Sequence, residues 1–207
     1  MGEAGRPTER EDVAPVLQAD TVWRLDKTEA VADHATKVLG QPQVVDGNPG
    51  KAVRFDGTRD GLFVPVNPIA GWDAFTIEVL FKPEAGGLAE QRFFHIQDER
   101  EARVLMETRL TPEGQWALDT FLMDGEHRLP LLDRTLLHPA GVWAWVALRY
   151  DGKRMTSFVN GQKELEGSVV FASMKPGRTS LGVRQNEVFW FKGSIAEVRF
   201  HPIALEA

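Results

Sequence analysis

Turn dipeptides that contain glycine recur along the chain at short intervals, and they constrain the fold more than any other feature of the sequence. Asp-Gly and Asn-Gly pairs favour tight reversals because their residues tolerate a positive φ angle. The segments between the pairs are short, which favours strands over long helices. The turn signals fall at Asp46–Gly50, Asp56–Gly57, Asp60–Gly61, Gly86–Gly87, Glu113–Gly114, Asp124–Gly125, Asp151–Gly152 and Asn160–Gly161. This spacing predicts an all-β protein.

Short segments rich in β-branched and aromatic residues lie between these turns. Many alternate apolar and polar residues with a period of two, as half-buried strands do. Only Asp98–Ala102 and residues 9–12 suggest a helical turn. The predicted strands include Thr21–Leu25, Ala52–Phe55, Leu62–Val66, Phe75–Phe81, Phe93–Gln97, Arg103–Leu110, Trp116–Met123, Trp143–Tyr150, Met155–Asn160, Thr179–Val183 and Ile195–His201. Many short strands at even spacing predict a two-sheet antiparallel jelly-roll β-sandwich.

The beginning of the chain differs from the rest. Residues 1–15 (MGEAGRPTEREDVAP) combine Gly, Pro, Glu and Arg with few apolar residues and contain no apolar core of a signal peptide. After residue 20 no shift in composition marks a second domain. We therefore predict a mostly irregular leader over residues 1–20 and one jelly-roll domain over residues 21–207.

The composition excludes several classes of site and partner. The chain has no cysteine, which excludes disulfides, zinc–thiolate sites, iron–sulfur clusters and a cysteine nucleophile. A net charge of −6 argues against nucleic acid as a partner, because phosphate binding needs clustered Lys and Arg. No apolar run is long enough to form a transmembrane segment. The composition leaves the oligomeric state open.

Four motifs occur along the chain in one recognisable order. Trp143–Gly152 (WAWVALRYDG), followed by Phe158–Gly161 (FVNG), resembles the strand–turn–strand signature W-x-x-V-A-x-x-Y-D-G…V-N-G of laminin-G-like domains of the concanavalin A-like class. Three further segments resemble its early, middle and closing strands: Lys51–Gly57 (KAVRFDG), Phe75–Pro83 (FTIEVLFKP) and Gly193–Phe200 (GSIAEVRF). The agreement of four motifs in order identifies the fold, although each motif alone is weak.

This resemblance implies a jelly-roll domain that is usually secreted, periplasmic or attached to the cell surface, and that often binds carbohydrate as a lectin does. It also implies a structural calcium ion (Ca2+) near the N-terminal and closing strands, for which Asp33 and Glu197 are the matching residues. The family pattern has Asp before that Glu, whereas this chain has Ala196. The missing carboxylate predicts weak calcium binding or none. The resemblance does not imply one activity, since unrelated functions share such folds.

The signature hairpin is interpreted as structural. Asp151-Gly152 and Asn160-Gly161 are standard turn pairs, and the second suits a type I′ turn with positive φ at both residues. Contact of Asp151 or Asn160 with a ligand is the alternative. The aromatic residues are also expected to serve the fold for the most part. We expect core positions for Trp23, Trp116, Trp143 and Trp145, and exposure in a loop for Trp72. Core or edge packing is favoured for Trp190, and capping of a ligand groove is the alternative.

A polar face on three predicted strands is the candidate carbohydrate-binding site. Period-two alternation places His95 and Gln97 on one side of their strand, and the next two strands alternate in the same way. If these strands are neighbours, their polar residues share a concave groove in which Phe121 can stack on a sugar ring. The predicted ligand-binding residues are His95, Gln97, Arg103, Glu107, Arg109, Asp119, Phe121 and Arg184. The alternative is an ordinary solvated face with cross-strand Arg–Glu pairs.

A non-catalytic carbohydrate-binding or adhesion module is the favoured function, and two other functions remain open. An enzyme acting on polysaccharide would use His95, Glu107 and Asp119 as its acid and base. The E-x-D-x-x-E pattern of retaining glucanases with this fold is absent, and the Gln-x-His order of a lyase strand is reversed here. A module that binds protein through its loops is the third function.

Overall fold

Eighteen strands occur in residues 21–206, the part of the chain that the computed structural model describes. The predicted leader and its helical turn lie outside these residues. In chain order the strands are β1 (Thr21–Arg24), β2 (Ala30–Val31), β3 (His34–Ala35), β4 (Lys37–Leu39), β5 (Gln43–Asp46), β6 (Lys51–Asp56), β7 (Gly61–Val64), β8 (Phe75–Pro83), β9 (Glu90–Asp98), β10 (Arg103–Leu110), β11 (Gln115–Asp124), β12 (His127–Leu132), β13 (His138–Pro139), β14 (Ala144–Tyr150), β15 (Arg154–Val159), β16 (Gln162–Ser168), β17 (Gly177–Leu181) and β18 (Lys192–His201).

Two eight-stranded antiparallel sheets form a sandwich, which confirms the predicted jelly-roll architecture. Sheet I has the order β16-β15-β14-β8-β18-β6-β5, and β1 also pairs with β18. Sheet II has the order β12-β11-β10-β9-β17-β7-β4, and β13 also pairs with β11. The short β2–β3 hairpin stands apart from both sheets. Within residues 21–206, no helix is long and apolar enough to cross a membrane.

Aromatic side chains from both sheets meet between them and form the centre of the core. Phe81 on β8 stacks on Phe93 of β9 with ring centroids 4.4 Å apart, and it meets the edge of Trp116 on β11 at 5.1 Å. All three side chains are fully buried. Because strand residues alternate between two faces, the chain neighbours of Phe81 and Trp116 lie on the outer surfaces of their sheets.

The signature hairpin has the backbone geometry that its sequence predicts. Asn160 and Gly161 have φ angles of 48° and 77°, as a type I′ turn requires. The Asp151 carboxylate accepts hydrogen bonds from the backbone N–H groups of Lys153 at 2.9 Å and Arg154 at 2.7 Å. The Asn160 side-chain oxygen accepts from the backbone N–H of Trp145 at 3.0 Å. Both turn side chains are therefore engaged by the backbone, which agrees with the structural interpretation.

Residues Asp98–Ala102 form a tight turn between β9 and β10, so the expected helical turn there is wrong. The buried Asp98 carboxylate accepts hydrogen bonds from the backbone N–H groups of Arg100 and Ala102, at 2.8 and 2.9 Å. Glu101 has a φ of 67°, a left-handed conformation that interrupts a helix. The polar side chain of Asp98 thus competes with helical hydrogen bonding and sets the turn.

Three tryptophans lie elsewhere than the sequence indicated. Trp143 and Trp145 are half-buried on the outer side of sheet I, where they pack with Leu80 and Ala196 rather than with the main core. Trp72 is also half-buried, but it packs against the main core instead of standing exposed in its loop. Periodicity within β14 assigns Trp145 correctly to the side opposite Val146, but it cannot tell which side faces the other sheet.

Candidate functional site

The predicted site residues lie together on the surface of sheet II that is turned away from the core, which we call the outer face of sheet II. Seven of them project from β9, β10 and β11, which are neighbours in this sheet. Their inward-facing neighbours, such as Val104 and Met106, are core residues. Arg184 reaches the same face from the loop after β17. The predicted residues are therefore assembled on one surface, while their role in binding stays a prediction.

The strand register arranges this face in three rows that run across the strands. The rows are a basic row of Arg178, Gln97, Arg103, Met123 and Arg128, a middle row of Ser180, His95, Leu105, Phe121 and Pro130, and an ionic row of Arg92, Glu107, Asp119 and Leu132. Phe121 is half-buried, next to the buried Leu105. An apolar centre with an aromatic ring thus separates a basic strip from a charged network.

The ionic row forms a buried network of charges. Glu107 contacts the Nε atom of Arg92 at 3.1 Å and the Nη2 atom of Arg109 at 2.8 Å. The same Nη2 atom contacts Asp119 at 2.5 Å. The side chains of Glu107 and Asp119 are each only 6% exposed. Two carboxylates that share one guanidinium out of solvent form an electrostatically strained arrangement, because neither can recover its lost hydration.

The Asp119 carboxyl holds its proton more tightly than an ordinary aspartate. Burial disfavours its charged form, and the nearby Glu107 carboxylate repels it, so its pKa rises to about 6. The Arg109 guanidinium opposes this rise but does not cancel it. Asp119 consequently titrates in the mildly acidic range.

Replacing Asp119 with asparagine should change how stability depends on pH. Because the native pKa lies above the unfolded value, the stabilisation from Asp119 is fully present below about pH 4 and is lost as the pH rises through about 6. Between pH 4 and pH 7, wild-type protein should lose on the order of 2 kcal/mol of unfolding free energy relative to Asp119→Asn. Urea unfolding of both proteins at the two pH values measures this difference. Parallel pH profiles would contradict the raised pKa.

Unpaired polar atoms concentrate on this face. Among the described residues, seven of the ten buried side-chain N and O atoms without a hydrogen bond belong to it. Two of the seven, Arg92 Nε and Glu107 Oε2, have ion-pair partners at 3.1 and 2.8 Å and are therefore engaged. The other five are His95 Nε2, Arg103 Nε, Arg109 Nε, Arg109 Nη1 and Asp119 Oδ1. Buried polar groups normally find partners, so this face is set apart by hydrogen-bonding atoms that the described part of the chain leaves unsatisfied.

The loop from Gly182 to Trp190 closes one side of the outer face. Its Gln185 backbone N–H donates to Nδ1 of His95 at 3.1 Å. Its Phe189 ring lies 3.8 Å from the guanidinium carbon of Arg92, in a cation–π contact. Trp190 is half-buried beside the fully buried Phe191, in keeping with edge packing. Sequence reasoning missed Arg92, Gln185 and Phe189 as members of the site.

The residues predicted for calcium do not form a recognisable metal site. Asp33 is exposed between β2 and β3, while Glu197 contacts Arg199 at 2.6 Å and Arg24 at 3.7 Å. In the described part of the chain, no three carboxylate or imidazole side chains converge as metal ligands. Since two arginines already neutralise Glu197, its oxygens are less available to a cation. Calcium binding stays a prediction.

A depression of about 230 Å³ lies on the outer side of sheet I, away from the outer face of sheet II. Trp145 and Phe158 line it, but Phe158 is only 8% exposed and Arg199 covers the Trp145 ring at 4.3 Å. Its polar groups are mostly paired within the chain: Arg149 donates to the backbone oxygen of Leu205 at 3.0 Å. This groove therefore offers a ligand fewer free polar groups than the outer face of sheet II.

The chain matches a known protein family over most of its length. A family model described as the concanavalin A-like lectin/glucanases superfamily matches residues 56–207. No curated protein sequence matches the chain.

Several solved structures share the fold at low sequence identity. Domain 4 of AbnA, a GH43 extracellular arabinanase from Geobacillus stearothermophilus in complex with arabinotriose, is 21% identical with a TM-score of 0.67, over 91% of this chain and 94% of that chain. A heptameric SAP-like pentraxin from Limulus polyphemus is 15% identical with a TM-score of 0.61, over 75% and 77%. The CBM40 of the Ruminococcus gnavus IT-sialidase, bound to α2,6-sialyllactose, is 19% identical with a TM-score of 0.50, over 65% and 79%.

Proposed function

The chain belongs to the concanavalin A-like lectin/glucanases superfamily, and from this premise we propose that it is a non-catalytic carbohydrate-binding module whose ligand lies on the outer face of sheet II. The observation that carries the proposal is the set of unpaired buried polar atoms around Phe121. Sugars suit such a surface because their hydroxyl groups both donate and accept hydrogen bonds, while their C–H faces pack on aromatic rings.

The solved structures support the same class of ligand. The arabinanase domain is named as a complex with arabinotriose, and the sialidase CBM40 as a complex with sialyllactose. The arabinanase is also named as extracellular. We propose on this basis that the chain acts outside the cell, on a glycan or polysaccharide, in agreement with the location that the sequence motifs imply.

Binding to a glycan array, followed by calorimetry on the strongest hit, tests the proposal. Phe121→Ala should weaken the affinity about tenfold, because it removes the one aromatic ring in the middle row. Since Phe121 is half-exposed, the variant should remain folded. The matched control is Trp145→Ala on the outer side of sheet I, which should leave the affinity within about twofold.

The opposite effects of these two variants on affinity would place the binding site on sheet I. If Trp145→Ala abolishes binding and Phe121→Ala does not, the ligand occupies the groove on sheet I. If no glycan binds while a protein partner is captured stably, the domain is a protein-interaction module.

A polysaccharide-active enzyme is the second candidate, and one observation favours it. Asp119 and Glu107 share Arg109, and the pKa of Asp119 is raised to about 6, as suits a general acid. The existing ion pairs oppose this function, because Arg92 and Arg109 already engage the two carboxylates. Release of soluble sugar from polysaccharide by the wild type, lost in Glu107→Gln, would establish catalysis. Binding without release, in both proteins, would leave the module non-catalytic.

A further inference from the structure

His95 presents an N–H group without a partner at the centre of the outer face. The ring is 1% exposed, and its Nδ1 atom accepts a hydrogen bond from the Gln185 backbone N–H at 3.1 Å. Burial, reinforced by Arg184 and Arg103, lowers the pKa of His95 to about 3, so the ring is neutral near pH 7. A neutral imidazole that accepts at Nδ1 carries its proton on Nε2. Within the described residues that Nε2–H group donates to nothing.

Two arginines flank this N–H group and lack a carboxylate partner. Neither Arg103 nor Arg184 forms an ion pair with any residue between 21 and 206. The salt bridges of the ionic row are instead formed by Arg92 and Arg109. Arg103 Nε is buried without a hydrogen bond. Desolvation and the nearby Arg103 and Arg92 lower the pKa of Arg184, while Glu107 partly opposes this. The guanidinium groups of Arg103 and Arg184 are thus held close together, and the described residues provide little negative charge to balance them.

These groups can donate hydrogen bonds but cannot accept them. A guanidinium has five N–H donors and no acceptor, and the His95 Nε2 atom is protonated. We propose that His95, Arg103 and Arg184 form a donor-only pocket that binds an anionic substituent of the sugar, either a carboxylate or a sulfate ester. An acidic glycan is therefore the ligand class, an inference that rests on the proposed carbohydrate-binding function.

Charge and space support an anionic ligand. The chain carries a net charge of −6, so a cluster of arginines on one face runs against the overall balance. An anion there would accept from the unpaired donors and relieve the repulsion between the two guanidinium groups. A surface depression of about 430 Å³, lined partly by Gln97, Arg178 and Gln185, adjoins the pocket. It provides room for a sugar ring that carries the charged group, and Asp98 and Glu99 are also among its lining residues. The Asp98 carboxylate is already engaged by the backbone N–H groups of Arg100 and Ala102.

Matched pairs of ligands, one with and one without the charge, separate the contribution of the anionic group to the affinity from that of the rest of the sugar. Calorimetry compares trigalacturonate with its methyl ester, and a sulfated heparin hexasaccharide with its desulfated form. The acidic member of one pair should bind at least tenfold more tightly, and the preferred pair identifies carboxylate or sulfate ester. Raising the salt concentration should weaken that preference, because the charged groups are partly exposed.

Variants test the residues directly. Arg184→Gln should lower the affinity for the preferred acidic member about tenfold, and that for the neutral member by a clearly smaller factor, because a guanidinium donates more weakly to uncharged oxygens. Arg24→Gln is the matched control, since Arg24 lies on β1 of sheet I with its side chain 74% exposed and its loss changes the net charge equally. It should alter the affinity less than twofold. Circular dichroism and the melting temperature check that both variants remain folded.

Inorganic sulfate distinguishes failure of this inference from failure of the proposed function. In NMR titrations of the full chain, sulfate should shift the His95 Nε2 and Arg184 guanidinium signals to a plateau. Saturable shifts without any glycan binding would keep the anion pocket and overturn the carbohydrate function. Equal binding of acidic and neutral sugars, with no sulfate shift, would overturn the pocket and keep the function. No response in any assay would overturn both.

Discussion

Replacing Glu107 with alanine should lower the free energy of unfolding by about 3 to 5 kcal/mol. Glu107 is the centre of the ionic row, where it contacts both Arg92 and Arg109. Without Glu107, the side chains of Arg92 and Arg109 remain only 13% and 10% exposed. The carboxylates left beside them are Asp119, which is buried, and Glu90, which is more exposed. Removing one member of a buried ion pair is costly, because the partner stays desolvated without its counter-charge.

A double variant separates this electrostatic cost from loss of packing. Arg92→Ala combined with Glu107→Ala should lose clearly less stability than the sum of the two single variants, because one charge of each sign is removed. Chemical denaturation of the four proteins measures the coupling.

The exposed pair of Arg54 and Glu84 provides the control for Glu107. Glu84→Ala should cost about 1 kcal/mol or less, since Arg54 is 52% exposed and solvent screens the pair. Equal losses for Glu84→Ala and Glu107→Ala, with additive losses in the double variant, would show that the ionic row behaves as an ordinary solvated surface.

Replacing Phe81 with alanine should lower the free energy of unfolding by about 3 to 5 kcal/mol. The fully buried ring of Phe81 joins the two sheets, through its stacked contact with Phe93 and its edge contact with Trp116. Its removal leaves a cavity between rigid strands that cannot close around it. Urea or thermal unfolding, monitored by tryptophan fluorescence, measures the loss.

Phe121→Ala is the matched control for Phe81, because it removes the same ring from a half-exposed position on the outer face. It should cost about 1 kcal/mol or less. A similar loss for both variants would mean that Phe81 does not lie at the centre of the core.

The fold and most of the outer face follow from local sequence rules. Gly-containing turns fix where strands reverse, and the period-two pattern of Arg103–Leu110 correctly separates Val104 and Met106 from Arg103 and Glu107. These assignments succeed because alternation within a regular strand depends only on backbone geometry. The pairing of β9 with β10 and of β10 with β11 then brings the polar residues together.

Arg92 was missed because β9 is not regular. The register shifts between Met106 and Glu107, so that Phe93 and Phe94 both enter the core and Arg92 joins the outer face. Strict alternation from His95 would have turned Arg92 inward. A bulge inserts one residue and exchanges the two faces beyond it, and nothing in the local sequence marks its position.

Tertiary structure, and not local sequence, determines where the side chains of Gln185, Phe189 and Trp145 lie. The first two reach the outer face of sheet II through a loop in which Glu187 and Phe189 adopt positive φ angles of 60° and 58°. Such conformations are uncommon for these residue types, so propensity does not predict the path of this loop. Trp145 lies outside the core because its side of β14 faces away from sheet II, which only the packing of the sheets decides.

The most direct test of the central claim is a map of the ligand's position on the folded domain. The experiment is an NMR titration of isotope-labelled protein with the strongest glycan hit, followed at backbone and side-chain N–H signals. Saturable shifts should cluster at residues of β9, β10 and β11, with the His95, Arg103 and Phe121 signals among the largest. Shifts confined to Trp145, Phe158 and their neighbours on sheet I would contradict the assignment of the site to the outer face of sheet II.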